Sequence, residues 1–218
     1  MREINREISE AMQSGKTMVV KKLVENALSD GIPASEILSD GLLSGMDIIA
    51  GKFTANEIFI PEVLIAARAM NAATTMLKSH LTESGVQPIG KAIIGTVRGD
   101  LHDIGKNLVR MMLEGKGIDV IDMGVDVAPE KFLETYQIEK PDLICLSTLL
   151  TTTMPEMKNT IDAFKTADVD DVIFMIGGAP VNEHFRESIG ADIYAPDAGT
   201  AAEAAKQAIF ASKEKKTS

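Results

Sequence analysis

The sequence has no tryptophan and few aromatic residues of any kind, two tyrosines and seven phenylalanines in 218 residues. Its core must therefore be built mainly from aliphatic side chains and methionine. Hydrophobic residues make up 45% of the chain and charged residues 25%, values typical of a globular protein. This length allows one large domain or two small ones.

Cysteine and long apolar runs are scarce as well. The single cysteine, Cys145, cannot form an intrachain disulfide, and its place in an apolar run indicates a small core residue. The N-terminal residues lack the apolar segment of a signal peptide, and no stretch approaches the roughly 18 apolar residues of a transmembrane helix. We therefore expect a cytoplasmic protein.

Clustered positive charge is nearly absent. The formal net charge is −10, and the one basic run lies at the C-terminus, within a polar tail that we predict at residues 213–218. An acidic chain without a basic face binds nucleic acid poorly. We therefore expect neither a nucleic-acid partner nor a membrane partner.

Helical periodicity alone describes residues 1–85, which we interpret as a cap domain, a four-helix bundle. The predicted third and fourth helices are joined by residues 51–61, which contain Phe53 and Phe59 in a turn-like sequence. Two interpretations stay open for this segment. Its apolar side chains either anchor the loop in the bundle or project outward to cover a ligand.

A linker at residues 86–90 contains proline and glycine, and residues 91–212 then alternate strand and helix patterns. Continuous apolar strands between helices predict an α/β doubly wound parallel sheet of five strands, Rossmann-like with flavodoxin-type strand order. The predicted strands are 92–97, 119–123, 143–146, 172–176 and 192–195, and the predicted helices are about 104–115, 129–139, 155–166, 181–189 and 199–212. Right-handed crossovers place the carboxyl ends of all these strands on one edge.

The loop Asp100-Leu101-His102-Asp103-Ile104-Gly105 follows the first strand. A carboxylate two residues from an imidazole can accept a hydrogen bond from the ring nitrogen that does not bind metal. Gly105 leaves room for a bulky planar ligand. The other histidines, His80 and His184, have no ligand spacing to His102, whereas zinc or iron sites use three or more protein ligands. A lone histidine instead fits a metal that is held in a macrocycle.

Two further loops follow strands on the same edge. Ser147 could reach Asp100 and extend a His–Asp–Ser relay, while the threonines at 151–153 either contact a ligand or cap the helix near Pro155. Gly177-Gly178 forms a tight turn or leaves space for a ligand against the backbone. The sequence contains neither the P-loop pattern nor the dinucleotide-binding glycine pattern.

Taken together, Asp100-x-His102-x-x-Gly105, Ser147-x-Leu149 and Gly177-Gly178 resemble the cobalamin-binding module of corrinoid-dependent methyltransferases. The resemblance covers essentially the whole chain, because residues 53–63 are similar to the helical cap of that family. It implies that His102 is the lower axial ligand of cobalt in the base-off/His-on mode, with Asp100 and Ser147 completing a relay.

The resemblance also implies a set of cofactor contacts. Around the axial ligand these are Leu101, Asp103, Ile104 and Gly105; along the nucleotide tail they are Leu149, Thr151, Gly177, Gly178 and Ala198; over the upper face they are Phe53, Ile60 and Val63. Asp100 would take up a proton when the imidazole detaches from cobalt. The cap would move aside on the linker to admit partners.

The function implied is that of a corrinoid protein, a methyl carrier rather than a stand-alone catalyst. It would cycle between Co(I) and methyl-Co(III) and carry the methyl group from a substrate-specific methyltransferase to a second methyltransferase that uses tetrahydrofolate or a thiol. A reductive activator protein would be a further partner. Since 218 residues leave no room for a barrel, we expect the catalytic barrels on separate chains.

Two other functions share these modules. A cobalamin-dependent regulator or light sensor usually adds a DNA-binding segment and a tryptophan motif, and this sequence has no tryptophan and a net charge of −10. A mutase small subunit is the other alternative, but a methyltransferase-type cap would be unexpected in it.

Overall fold

The structure, a computed structural model, describes residues 2–83 and 87–217, without the side chains of residues 82, 83, 216 and 217. The chain divides into two compact units, Met1–Pro88 with Gly115–Gly117, and Ile89–Glu114 with Ile118–Ser218. Of the predicted linker at residues 86–90, Val86 lies outside the described residues. In the described ranges, no helix is both long and apolar enough to cross a membrane.

The first unit is helical, as predicted. Its third helical stretch is continuous from Ala34 to Thr54 and contains a π-helical segment in the middle. The bounds are α1 Glu3–Gln13, α2 Thr17–Ser29, α3 Ala34–Glu36, the π-helical segment Ile37–Leu43, α4 Ser44–Thr54 and α5 Ile60–Glu83.

Two glycines of this third stretch allow α1 to approach closely. A Cβ atom at Gly45 would lie 2.7 Å from Met12 Cε and 2.8 Å from Ser9 Oγ, and one at Gly41 would lie 3.1 Å from Ile8 Cγ2. Glycine lowers helix propensity, but here the absence of a side chain permits the packing of two helices. The irregular helix is therefore stabilised by its tertiary contacts.

The connection between α4 and α5 is shorter than the sequence pattern suggests. Phe53 lies in the last turn of α4, and only residues 55–59 connect the two helices. Asn56 adopts a positive φ of 59° and donates its amide hydrogen to Phe53 O, which ends α4. Phe53 is thus a helical residue, because intrahelical hydrogen bonds continue past Gly51.

The second unit contains a five-stranded parallel sheet in the order β2-β1-β3-β4-β5. This confirms the predicted fold class and strand order. The strands are β1 Gly90–Thr96, β2 Ile118–Asp122, β3 Leu143–Ser147, β4 Ile173–Gly177 and β5 Ile193–Tyr194. The helices are α6 Ile104–Gly115, α7 Pro129–Glu139, α8 Met154–Thr166, α9 Glu183–Ile189 and α10 Ala198–Thr217.

The last helix extends beyond residue 212, where the sequence pattern predicts its end. It continues through most of the segment predicted as a polar tail, since alanine, lysine and glutamate all favour helix. Lys213 Nζ donates to Ile89 O at 2.7 Å, which attaches this part of α10 to the start of the α/β unit.

The scarce aromatic residues are concentrated on one face of the sheet. Tyr136, Phe164 and Phe174 pack edge to face, with ring centroids 5.4 and 5.1 Å apart, and Phe132 lies fully buried in the same cluster. Cys145 is buried in β3, and burial raises the pKa of its thiol above the usual range. This confirms its interpretation as a core residue.

The three central strands end together. Thr96, Ser147 and Gly177 are the last residues of β1, β3 and β4, and they are in register across the sheet. Beyond β1 and β2 the pairing continues through an isolated bridge between Val97 and Val127. The loops that follow these strands therefore share one edge, where ligands bind in open α/β sheets.

Candidate functional site

An imidazole–carboxylate pair lies at this edge, in the loop between β1 and α6. His102 Nδ1 is 2.7 Å from Asp100 Oδ1, and the backbone amide of His102 donates to the same oxygen at 3.0 Å. The Asp100 side chain is fully buried, whereas the His102 side chain is 51% exposed. Because the carboxylate engages Nδ1, Nε2 is the nitrogen that can ligate a metal.

The second carboxylate oxygen of Asp100 accepts four hydrogen bonds. The amides of Leu149 and Leu150 donate to Oδ2 at 2.7 and 3.2 Å, and the hydroxyls of Thr148 and Thr153 donate at 2.9 and 3.1 Å. All four donors belong to the loop that follows β3. The loop after β1 and the loop after β3 are thus joined through one buried carboxylate.

The sequence prediction selected Ser147 for this role and missed Thr148 and Thr153. Ser147 is still part of β3, where its carbonyl accepts from Val97 N at 3.0 Å, and it does not donate to Asp100. The threonines that follow Ser147, at positions 148 and 151–153, were the available signal. Only the course of the loop shows which of these hydroxyls reach the carboxylate.

Thr151 and Thr153, in the same loop, differ in burial. Thr153 precedes α8, but its side chain forms no helix cap, because the hydroxyl bonds Asp100 and Leu150 O instead. Thr151 is exposed. Of the two alternatives left open for these threonines, capping of the helix is therefore wrong for Thr153.

Hydrogen bonding keeps Asp100 ionised. Burial by itself raises the pKa of this carboxyl, but the amides of Leu149 and His102 and the side chains of His102 and Thr148 lower it far below the usual range. An ionised Asp100 favours the His102 tautomer that carries its hydrogen on Nδ1. A proton on Asp100 would weaken the hydrogen bonds that these donors make to the carboxylate.

A buried lysine anchors the helix that follows the histidine loop. Lys106 is 2% exposed, and its Nζ donates to Asp122 Oδ1 at 2.5 Å and to Asn107 Oδ1 at 2.8 Å. Burial opposes ionisation of Asp122, but Lys106, the amide of Gly124 and the charge of Arg110 lower its pKa. The pair attaches the first turn of α6 to the end of β2, a role that the sequence analysis did not predict.

Exposed apolar side chains lie near the imidazole along the chain. Leu101 and Ile104 are 72% and 71% exposed, and Leu149 and Leu150 are also exposed on the neighbouring loop. A Cβ atom at Gly105 would meet nothing within 4 Å. Such a concentration of exposed apolar residues is typical of a surface that binds a ligand.

Gly177 and Gly178, by contrast, are closely packed against the protein itself, and at Gly178 this packing requires glycine. A Cβ atom at Gly177 would be 3.2 Å from Ala195 O, and one at Gly178 would overlap Thr148 O. Gly178 also has a φ of +136°, which side chains other than that of glycine rarely allow. Ala198 is buried and is the first residue of α10, the helix that follows β5.

The three residues predicted to cover the cofactor differ in exposure within the helical unit. Val63 is fully buried, Phe53 is half-buried and Ile60 is 39% exposed. Phe59, at 66%, is more exposed than any of them and was not selected from the sequence. Whether these residues cover the cofactor stays a prediction.

These features fit a metal that brings its own macrocycle. Among residues 2–83 and 87–217, no three histidine, cysteine, aspartate or glutamate side chains are grouped so that they could hold a bare metal ion. One partly exposed imidazole with a fixed Nδ1 can supply a single axial ligand. The surrounding leucine and isoleucine side chains suit a large, partly apolar ring.

Comparison with known proteins agrees with this chemistry. Residues 90–206 match the B12-binding family, described as a B12 binding domain, and residues 4–78 match a second family with the same description. Together they account for both units of the chain.

Relatives of similar length are known. The chain is 36% identical over 210 residues to the trimethylamine corrinoid protein of Methanosarcina barkeri, covering 95% of this chain and 97% of that protein. It is 37% identical over 209 residues to the dimethylamine corrinoid protein of the same organism, covering 95% and 98%. Among solved structures, the methanol:cobalamin methyltransferase complex MtaBC of Methanosarcina barkeri matches with a TM-score of 0.86 and 30% identity, covering 95% of this chain and 80% of that chain.

Proposed function

Since the chain belongs to the family of corrinoid proteins with B12-binding domains, and cobalamin is its cofactor, we propose that it carries a methyl group between two methyltransferases. The observation that carries this proposal is the partly exposed His102 ring, with Nδ1 held by the buried Asp100. A fixed, singly engaged imidazole can ligate cobalt from below and leave the opposite face for the methyl group.

The bound cobalt would supply the chemistry, by alternating between Co(I) and methyl-Co(III) in the base-off/His-on mode. The residues of the chain orient and tune the axial bond. Asp100 holds the Nδ1 proton, and an ionised partner makes the imidazole more basic at Nε2. The four donors to Asp100 Oδ2 fix this carboxylate in place, and two of them, the amide of Leu149 and the hydroxyl of Thr148, lower its pKa.

The proposed partners follow from what the relatives are named for. The matched corrinoid proteins are named for trimethylamine and dimethylamine, and the matched complex is a methanol:cobalamin methyltransferase. We therefore propose that one partner is a substrate-specific methyltransferase that acts on a small methylated amine or alcohol. We also propose a second methyltransferase with tetrahydrofolate or a thiol as acceptor, a reductive activator protein, and a cytoplasmic location.

The axial role of His102 is tested by electron paramagnetic resonance of the cob(II)alamin-loaded protein with ¹⁵N-labelled histidine. We expect a superhyperfine splitting from the labelled imidazole, its loss in His102→Ala, and its retention in His184→Ala. His184 is the matched control because it is exposed in α9. A splitting that survives in His102→Ala would refute the axial assignment.

The carrier function is tested with the same three proteins. Reduced holoprotein is mixed with a methylated donor and its methyltransferase, and then with a second methyltransferase and its acceptor. The wild type and His184→Ala should pass on nearly one methyl group per cobalamin. If none of a panel of methylamine, methanol and methoxyaromatic donors methylates the wild-type protein, the carrier proposal is wrong.

A further inference from the structure

A tight turn precedes the imidazole–carboxylate pair. The amide of Asp100 donates to Val97 O at 3.2 Å, and Gly99, the third residue of the turn, has a φ of +80°. A positive φ at this position is typical of a type II turn and turns the amide of Gly99 outward. This amide needs an acceptor outside the turn.

A second segment runs beside the turn. We name residues 124–127 the backing loop; it follows β2 and continues the pairing with β1. Gly124 O accepts from Thr96 N at 3.0 Å, and Val127 N donates to Thr96 O at 2.9 Å. The backing loop is therefore held to the end of β1 at both of its own ends.

Asp126 lies in the middle of the backing loop and bonds the turn on two sides. Its Oδ1 accepts from Gly99 N at 2.6 Å, and its own amide donates to Asp100 O at 3.0 Å. Its φ is +54°, a conformation that is uncommon for a residue with a side chain. These two bonds lie on either side of the peptide bond between Gly99 and Asp100, and the carboxylate of Asp100 contacts the His102 ring.

We propose that Asp126 is a positioning residue for the His102–Asp100 pair, and through it for the bond between His102 and cobalt. This inference rests on the proposed function. Asp100 is fixed through its side chain by the loop after β3 and through its backbone carbonyl by the amide of Asp126, while Asp126 Oδ1 holds the amide of the preceding Gly99. An imidazole held at 2.7 Å from Asp100 follows any displacement of that backbone.

Two substitutions separate the carboxylate from the backbone conformation. Asp126→Asn keeps an Oδ1 acceptor in a residue that tolerates positive φ, whereas Asp126→Gly removes the acceptor and relieves the backbone. We expect Asp126→Gly to raise the dissociation constant for cob(II)alamin about fivefold, a modest value for an exposed hydrogen bond to a charged group. Asp126→Asn should stay within about twofold of the wild type by the same reasoning.

Introducing Asp126→Gly into the His102→Ala protein shows whether Asp126 acts through the axial bond. If Asp126 acts through the axial bond, Asp126→Gly has no further effect on affinity once the imidazole is gone, and the double-mutant cycle shows coupling. The labelled-histidine splitting should weaken in Asp126→Gly and persist in Asp126→Asn. Thermal unfolding of each apoprotein reports whether the fold is retained.

The outcomes distinguish this inference from the proposed function. No imidazole splitting in the wild-type protein refutes the axial role of His102 within the proposed function. A normal splitting in the wild type, with equal affinities for wild type and Asp126→Gly, overturns the role of Asp126 alone. An equal loss of affinity in the His102→Ala background, or a loss in Asp126→Asn as large as in Asp126→Gly, overturns it as well.

Discussion

Two loops at the same edge of the sheet are built on different physical principles. The histidine loop, residues 97–103, is held by hydrogen bonds that converge on Asp100 and leaves apolar side chains exposed. The glycine loop, residues 177–180, is held by close packing, because Gly178 lies against the carbonyl of Thr148. The histidine loop presents functional groups, whereas the backbone of the glycine loop lies where a side chain would not fit.

The difference matters for how glycine is interpreted in this motif. Gly105 and Gly178 both belong to the sequence signature, yet a Cβ atom would enter open space at Gly105 and overlap the protein at Gly178. Of these two glycines, only Gly105 has no packing reason within the protein itself. The requirement there is therefore expected from the ligand, and the requirement at Gly178 from the fold.

The largest effect that would sharpen this comparison is expected for Gly178→Ala. Overlap with the Thr148 carbonyl and a positive φ should lower the free energy of unfolding by about 3 kcal/mol or more. Gly31→Ala is the matched control, since Gly31 has a φ of +75° but a Cβ atom there would meet nothing within 4 Å, and should cost only about 1 kcal/mol. Urea unfolding of the apoproteins measures both. Equal losses would show that backbone conformation alone explains Gly178.

An intermediate effect is expected for Thr148→Val. Removing one hydroxyl donor from the buried carboxylate of Asp100 should lower the free energy of unfolding by about 2 kcal/mol, the magnitude for a hydrogen bond to a charged group. Ser147→Ala tests the residue selected from the sequence and should change the free energy of unfolding by less than about 0.5 kcal/mol. A larger loss in Ser147→Ala than in Thr148→Val would restore Ser147 to the relay.

The smallest effect on stability, and of opposite sign, is expected for Gly105→Ala. Glycine to alanine in a helix with free space around it should stabilise the apoprotein by about 0.5 kcal/mol. At Gly51 in α4 a Cβ atom would also meet nothing within 4 Å, so Gly51→Ala should stabilise the apoprotein by a similar amount. Only Gly105→Ala should weaken cobalamin binding, measured by spectroscopic titration, because its methyl group lies close to His102 along the chain. Unchanged affinity would remove the ligand as the reason for this glycine.

Much of the architecture could be predicted from local patterns. Alternating apolar runs and helical periods located all five strands and the helices of the α/β unit, because strands buried on both faces have a distinctive composition. Positions whose structure depends on distant residues were less predictable. Phe53 looked like a loop residue beside Gly51, and the contacts of Gly41 and Gly45 with α1 are invisible in a local sequence window.

The candidate site shows the same division. His102 and Asp100 could be paired from the sequence because they are two positions apart, and the lack of further metal ligands pointed to a macrocycle. The other partners of the Asp100 carboxylate lie about fifty residues away. Thr148 and Thr153 donate to it and Ser147 does not, and no spacing rule distinguishes these hydroxyls.

The sequence alone therefore determined the type of fold, the edge of the sheet that carries the candidate site, and the pairing of His102 with Asp100. These follow from apolar periodicity and from residue chemistry within a short segment. The tertiary structure decided which donors keep Asp100 ionised, which glycine serves packing, and that Asp126 holds the turn before His102. Such contacts depend on the loop paths that bring distant residues within hydrogen-bonding distance, and local patterns do not encode those paths.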